Sequence, residues 1–289
     1  VLKSSIDRIT KIRSLPIIEG YYLVLGGGKI GASFTEYALK HSLPFVLILD
    51  NDKNAPASLG TELIKDANDL CKLMEDKLKF PLKKESPQIY FYCAGLDAVP
   101  FILSFGMPEY IVPAIPCHVA AYIVKKYLNY PERKECIKEI CTSPEDKDQV
   151  QFFDHFTSHF PQDIIANLYP TQGIVILSYA RPGEICPDGC PGPEHFCPNF
   201  RREKKKTITN YVRDLLPHIK GWVFESYQIK PGIGAMKGMD MKQNLLEISE
   251  YVHSPNTQDN KIAVKDVTKD VFFIATTCNC HGVVNMFQI

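Results

Sequence analysis

An α/β fold is predicted by three features of the sequence. Short unbroken apolar runs recur along the chain. They alternate with stretches of helical period, and the first run passes straight into a glycine-rich turn. Buried parallel strands read as continuous apolar runs, and strict alternation with helices builds a parallel sheet. The expected architecture is an N-terminal Rossmann-like parallel sheet over residues 1–128 and a helical connector over 129–169. A second βαβαβ unit with cysteine-rich loops then fills 170–289.

Tyr21-Tyr-Leu-Val-Leu25 is the first apolar run, and Gly26-Gly-Gly28-Lys-Ile-Gly31 opens the helical pattern that continues to Leu39. Phe45-Val-Leu-Ile-Leu49 is the second strand, ending at Asp50. Thr61 to Leu78 has the spacing of an amphipathic helix, with Leu63, Leu70, Leu73 and Met74 on one side. Ile89-Tyr-Phe-Tyr-Cys93 and Tyr110-Ile-Val112 supply two more strands, and Val119 to Leu128 a further helix. Pro131, Pro144 and Pro161 punctuate the charged connector. Beyond it, strands are expected at Gly173–Leu177, Gly221–Glu225 and Val271–Ala275, the last of the chain. Helices are expected at Lys205–Leu216 and Met241–Val252.

Composition narrows the function classes. Lys plus Arg and Asp plus Glu number 33 each, so net charge gives no sign of nucleic acid or an anionic membrane as partner. The one basic run, Arg201-Arg-Glu-Lys-Lys-Lys206, lacks interleaved aromatics and reads as the solvated start of a helix. No stretch approaches the roughly 20 apolar residues that span a bilayer. The polar first 13 residues lack the apolar core of a signal peptide, so the cytoplasm is the default location. The start at Val1 leaves room for a preceding segment.

Gly26, Gly28 and Gly31 fit G-x-G-x-x-G between a strand and a helix. That pattern needs one glycine for the tight turn, one for close approach to a pyrophosphate and one for helix–strand packing. The helix start at Lys29 and Ile30 offers free N–H groups and a partial positive charge to the phosphates. Asp50 stands where a carboxylate accepts from both ribose hydroxyls and repels a 2′-phosphate, which favours NAD over NADP. Asp52 is an alternative for the ribose.

On Leu23-Val-Leu-Gly-Gly-Gly-Lys-Ile-Gly31 and Cys93-Ala-Gly-Leu-Asp97, the first 125 or so residues resemble two groups. One is the nucleotide-binding domain of potassium-uptake regulators, the other the N-terminal dehydrogenase domain of sirohaem synthases. The resemblance implies a dinucleotide-binding Rossmann fold. The sirohaem group also implies a catalytic role for Asp97. His118, after Pro113 and Pro116, is a second candidate as acid or base near a nicotinamide, against a buried or helix-capping role.

Of ten cysteines, five lie in two short segments: Cys186, Cys190 and Cys197 in one, Cys278 and Cys280 in the other, with His281 next in line. If the strands before these segments are parallel members of one sheet, both loops leave its C-terminal edge, where open α/β sheets bind ligands. Clustered thiols in a reducing compartment point to a metal. The spacing C-x3-C-x6-C matches neither a ferredoxin run nor a zinc ribbon. A 4Fe–4S cluster and tetrahedral zinc therefore both stay open. The excess of thiols over histidines favours iron–sulfur. Loop packing or a disulfide are the plainer alternatives, and c-type haem attachment fails by one residue in Cys278-Asn-Cys280-His281.

His195 reads as a loop histidine, and Cys71, Cys93, Cys136 and Cys141 as packing or surface residues. Lys230–Gly238 reads either as a flexible loop or as a phosphate-approaching segment with Lys237 as counter-charge. The cysteine-rich part resembles unassigned proteins of anaerobic microbes, a likeness that implies no activity. Together these features lead to an NAD(H)-binding redox protein with a cysteine-ligated metal centre and a protein partner in a redox complex. The alternatives are a non-catalytic NAD-responsive regulatory or assembly module, and a zinc-dependent dehydrogenase.

Overall fold

The computed structural model describes residues 5–78, 87–129, 136–142, 147–254 and 270–289. Pro131 and Pro144 of the expected connector lie outside these residues. Helix α1 (Ser5–Ser14) precedes β1 (Ile17–Leu25), α2 (Lys29–Lys40) and β2 (Phe45–Asp50). A short β3 (Glu62–Ile64), α3 (Ala67–Leu78) and β4 (Gln88–Cys93) follow, then α4 (Val99–Leu103), β5 (Met107–Pro113) and α5 (Val119–Asn129). These five strands are mutually parallel, in the order β3-β4-β2-β1-β5. The order turns back on itself at β1, so the crevice between the C-terminal ends of β1 and β5 is a topological switch point.

The apolar runs become strands because both their faces are covered. Leu23 and Leu25 of β1 and Leu47 of β2 pack into a layer with Ile123 of α5. Val24, Val46 and Ile48 pack on the other side with Phe34 and Ala38 of α2. Phe45 to Ile48 are wholly buried, and each such side chain contributes about 1.5–3 kcal/mol.

The remaining elements are β6 (Lys138–Glu139), α6 (Lys147–Ser158), β7 (Ile165–Tyr169), β8 (Ile174–Ser178), β9 (Phe196–Cys197), β10 (Arg202–Glu203) and α7 (Ile208–Arg213). They continue through β11 (Gly221–Lys230), β12 (Ile233–Lys237), α8 (Gly238–Val252), β13 (Val271–Thr277) and β14 (His281–Gln288). Apart from the small β9–β10 ribbon, all of these strands join the first five in one 12-stranded sheet. It runs β3-β4-β2-β1-β5-β12-β11-β13-β14-β8-β7, with β6 beside β14. The protein is thus an α/β fold, and the sheet passes residue 128 without a break because β12 pairs with β5.

Several elements differ from the expectation. The helix expected over Thr61–Leu78 is divided, because the Asp66 carboxylate accepts from the N–H groups of Asn68 and Asp69 and starts α3 there. Leu63 consequently lies on the edge strand β3 and is exposed. The helix expected over Lys205–Leu216 shrinks to α7, whose start is set by Thr207 accepting from Asn210 N–H at 3.1 Å. Lys230–Gly238 is no loop: it turns at Gly232 into β12, antiparallel to both β11 and β5. Val271–Ala275 is not the last strand either, since β14 follows and separates β13 from β8.

Antiparallel β12 and β14 reverse direction twice, so β8, β11 and β13 keep the direction of β1. Their C-terminal ends therefore lie along the edge that carries the glycine loop. A third core layer, with Phe153 and Phe156 of α6 and Val212 of α7, holds this half together. No helix among the described residues is long and apolar enough to cross a membrane.

Candidate functional site at the shared sheet edge

The glycine loop is built from backbone. Gly26 has φ +114, and a Cβ there would stand 2.4 Å from the Ala114 carbonyl oxygen, so only glycine makes this turn at the β1–β5 crevice. At Gly31 a Cβ would meet the Gly26 carbonyl oxygen at 2.2 Å, which fixes how closely α2 packs on the turn. Gly28 differs: nothing lies within 4 Å of its Cβ position, and it begins α2 without a side-chain cap. Lys29 and Ile30 follow as exposed residues. The Asp50 carboxylate accepts from Gly27 N–H at 2.6 Å and from Asp52 N–H at 2.8 Å. Asp50 thus ties the end of β2 to the loop, while Asp52 caps Asn54 N–H at 2.9 Å.

The two cysteine segments come together. A cavity of about 610 Å³ is lined by Cys186, Asp188, Cys190, Cys278, Cys280 and His281 among others. Cys278 to His281 form the tight turn between β13 and β14, closed by Cys278 N–H donating to the His281 carbonyl at 2.9 Å. The first segment folds over that turn, and Asn279 Nδ2 donates to the Gly192 carbonyl at 3.0 Å. Cys197 does not line the cavity. It is buried in β9, opposite Arg202, yet close enough for its charge to influence Cys186.

The thiols bond to protein groups. Cys278 Sγ lies 2.8 Å from His281 Nδ1. Burial pushes this thiol up, but the hydrogen bond and charge of His281 outweigh it and leave Cys278 below the ordinary thiol value. The same bond raises His281. Burial raises Cys186, reinforced by Cys190, Cys197 and Cys278 nearby. It also raises Cys280, against the opposing hydrogen bond from Lys204. Asn199 Nδ2 and Gly192 N–H both reach Cys190 Sγ at 3.5 Å. Among the described residues, no three His, Cys, Asp or Glu side chains already stand arranged to hold a metal ion. The donor types are those of a thiolate-rich centre, so the chemistry of the set fits such a group although a ready-made shell is not seen.

Both halves of the edge are in contact. Lys29 Nζ of the glycine loop meets Asp188 Oδ2 of the cysteine loop at 2.6 Å. The cysteine loop also rests on the β11–β12 turn, where Gln228 Nε2 donates to the Cys190 carbonyl at 2.8 Å. A Cβ on Gly232 would meet Gly189 N at 2.7 Å. Lys230 Nζ in turn reaches Ser33 Oγ of α2 at 2.7 Å.

The two catalytic candidates are already engaged. His118 is half-buried, with Nδ1 2.6 Å from Asn285 Oδ1 and Nε2 2.9 Å from Thr276 Oγ1. An amide oxygen only accepts, so Nδ1 carries the proton and Nε2 accepts from the threonine hydroxyl. Burial pushes His118 down to about 4. It fastens β13 and β14 from beneath Thr276, a residue of the cavity wall. Asp97 is exposed and holds Lys126 at 2.6 Å and Tyr122 Oη at 2.8 Å. The hydrogen bond from Lys126, aided by Tyr122, keeps its carboxyl below the usual range. His195 is an exposed loop residue. Lys237 lies 4.0 Å over the Tyr227 ring.

The sequence reading missed Lys204. It belongs to the basic run expected to be solvated, yet only 4 % of it is exposed. Arg202 in the same run clamps Glu184 and donates to the Tyr179 carbonyl at 2.7 Å. The signal available was Phe196-Cys197 and Arg202-Glu203 flanking a short polar turn, the composition of a small two-stranded ribbon. That ribbon turns Lys204 inward.

The protein family described as "AF_1314_C: Uncharacterized protein, C-terminal domain" matches residues 120–289, more than half of the chain. The chain belongs to that family. The AF_1314_C domain therefore takes in α5, the cysteine loops and everything after them, while the glycine loop precedes it. Among curated proteins, the chain is similar to one from Archaeoglobus fulgidus described as "Uncharacterized protein". The two are 24 % identical over 266 residues, which cover 92 % of this chain and 98 % of that protein. The likeness thus extends well beyond the AF_1314_C domain into the parallel N-terminal strands. No solved structure matches at a significant level.

Proposed function

We propose that the chain is an NAD(H)-binding redox protein that also carries a cysteine-ligated metal centre, iron–sulfur in preference to zinc. One observation carries this reading. The glycine loop and the thiol-lined cavity leave the same sheet edge and touch through Lys29 and Asp188 at 2.6 Å. Support for the dinucleotide comes from open space over Gly28, the uncapped start of α2 and the carboxylate of Asp50 beside the loop. Support for the metal comes from five thiols and an imidazole drawn from two remote segments. Cys186, Cys190, Cys278, Cys280 and His281 at the cavity wall, with Cys197 buried behind it, are the residues that would hold it. An iron–sulfur centre supplies one-electron transfer, and zinc would supply Lewis acidity.

The engaged state of His118 and Asp97 favours a second reading, a non-catalytic module in which NAD(H) acts as a signal. Neither residue is free to move a substrate proton as placed. Turnover of NADH by the purified protein would separate the two.

The dinucleotide part is tested by titrating NADH into wild type, Gly28→Val and Asp50→Ala. Gly28 has φ −69 and open surroundings, so valine should leave the melting temperature nearly unchanged. It is expected to weaken NADH binding by at least about tenfold, a loss of roughly 1.4 kcal/mol. Asp50→Ala should weaken NADH and narrow its advantage over NADPH. Equal NADH affinity in all three proteins would remove the glycine loop from the proposal. Anaerobic purification with metal analysis and a visible spectrum tests the other part. Absorbance that bleaches with dithionite is expected for iron–sulfur.

A further inference from the structure

We infer that the thiol-lined cavity is built for a centre of net negative charge, with Lys204 as its internal counter-charge. This rests on the cysteine-ligated centre proposed above and adds a residue and a sign to it. Lys204 is 4 % exposed. Its ammonium donates to the Pro193 carbonyl and, at 2.8 Å, to Cys280 Sγ, and it stands 5.5 Å over the Tyr179 ring. Among the described residues no carboxylate pairs with it. Of the acids of the ribbon region, Glu184 is committed to Arg202, and Glu194 and Glu203 are exposed at the surface.

Burying an ammonium costs several kcal/mol unless a matching anion meets it. A carbonyl and a ring face return only part of that cost. The remaining partner is a sulfur at the cavity wall, where a fixed positive charge is idle against a neutral thiol and useful against a coordinated thiolate. Four cysteines that bind a zinc ion release four protons and leave a centre of charge −2. The same four around an oxidised 4Fe–4S core also total −2. A hydrogen bond from Lys204 to the Cys280 sulfur offsets part of that excess. The charge therefore serves either metal. Lys204 is a positioning residue, acting through Cys280 and not on a substrate.

The experiment uses the full chain as wild type, Lys204→Arg, Lys204→Met and Lys204→Gln. Each is loaded in separate samples with Zn2+ alone and, anaerobically, with equal amounts of ferrous and ferric iron and sulfide. Retained metal per chain is then followed against a graded chelator, and the metal-free proteins are melted. Methionine matches the volume without the charge, and glutamine keeps an N–H donor for Pro193. Groups that bond to metal ligands typically change affinity 10- to 100-fold when removed. Both uncharged variants are expected to lose metal at least about tenfold more readily, with Lys204→Arg close to wild type. Metal-free Lys204→Met is expected to melt no lower than wild type, because it has shed an uncompensated buried charge. A purely structural lysine would show the reverse, with metal-free stability falling and retention unchanged. Should methionine fail to fold, glutamine alone decides. Wild-type retention in the uncharged variants overturns the inference and leaves the metal reading standing. A wild type that takes up neither metal, yet still binds NADH, overturns both.

Discussion

Gly238→Ala is expected to destabilise the protein by more than about 4 kcal/mol, enough to remove it from the soluble fraction. Gly238 begins α8 directly after β12, and a Cβ there would stand 1.7 Å from the Pro108 carbonyl oxygen and 2.9 Å from its carbonyl carbon. Both atoms are backbone, so no side chain can swing aside. Pro108 belongs to β5, which pairs with β12 through Met236–Ile111 and Lys237–Tyr110. That pairing is where the first five parallel strands meet the rest of the sheet. Moving α8 outward to admit a methyl group would pull on this seam and on Met241 and Leu245, both wholly buried in the main core. Overpacking a tight site ordinarily costs 1–3 kcal/mol. A clash with fixed backbone on two elements exceeds that. Urea unfolding provides the measurement. Gly95→Ala is the control, because nothing lies within 4 Å of its Cβ position; it should shift stability by no more than about 0.5 kcal/mol.

The second large effect is a loss of stability in mild acid, carried by His118. Its folded-state value is pushed down by burial to about 4, against 6.5 for a free histidine. The unfolded chain therefore takes up a proton first as pH falls. Stability from this group is complete above about pH 6.5, declines below it and is lost by about pH 4. The gap of two to three pH units corresponds to roughly 3 kcal/mol. Protonation also puts a donor on Nε2, so the Thr276 hydroxyl must turn from donating to accepting. Unfolding free energies of wild type and His118→Gln from pH 7.5 to 4.5 give the test. Glutamine gains no proton in this range, so the difference between the two proteins should narrow as pH falls. Parallel pH profiles would show that His118 does not titrate on unfolding.

The parts of this protein that were legible in the sequence share a physical cause. Phe45–Leu49 announces a covered strand because both its faces are apolar. Gly26, Gly28 and Gly31 announce a particular turn because backbone crowding at two of them excludes any side chain, while the third stays open. The meeting of the two cysteine segments was legible from topology alone, since β8 and β13 share a direction. Other features were hidden because their explanation lies far away in the chain. Asn285 interrupts the apolar pattern of β14, and its burial makes sense only once His118 is placed 2.6 Å away. Ile233–Lys237, with Gly234 inside it, resembles a loop until β5 and β11 offer it hydrogen bonds on both sides. Lys204 looks like any other charge in a basic run until Cys280 arrives from 76 residues further on.

The place of β14 bears on how the chain assembles as it is made. Ribosomal synthesis delivers N-terminal segments first, at about 5–20 residues per second. Strands β1, β2, β4 and β5 find one another soon after they emerge. The hairpin of β7 and β8 must instead wait about a hundred residues for the strand that flanks it, leaving one side of β8 unsatisfied meanwhile. Newly made chains are therefore exposed to mispairing at Ile174–Ser178, as they are at β5 until β12 arrives, and slowing translation downstream of Ser178 should increase aggregation.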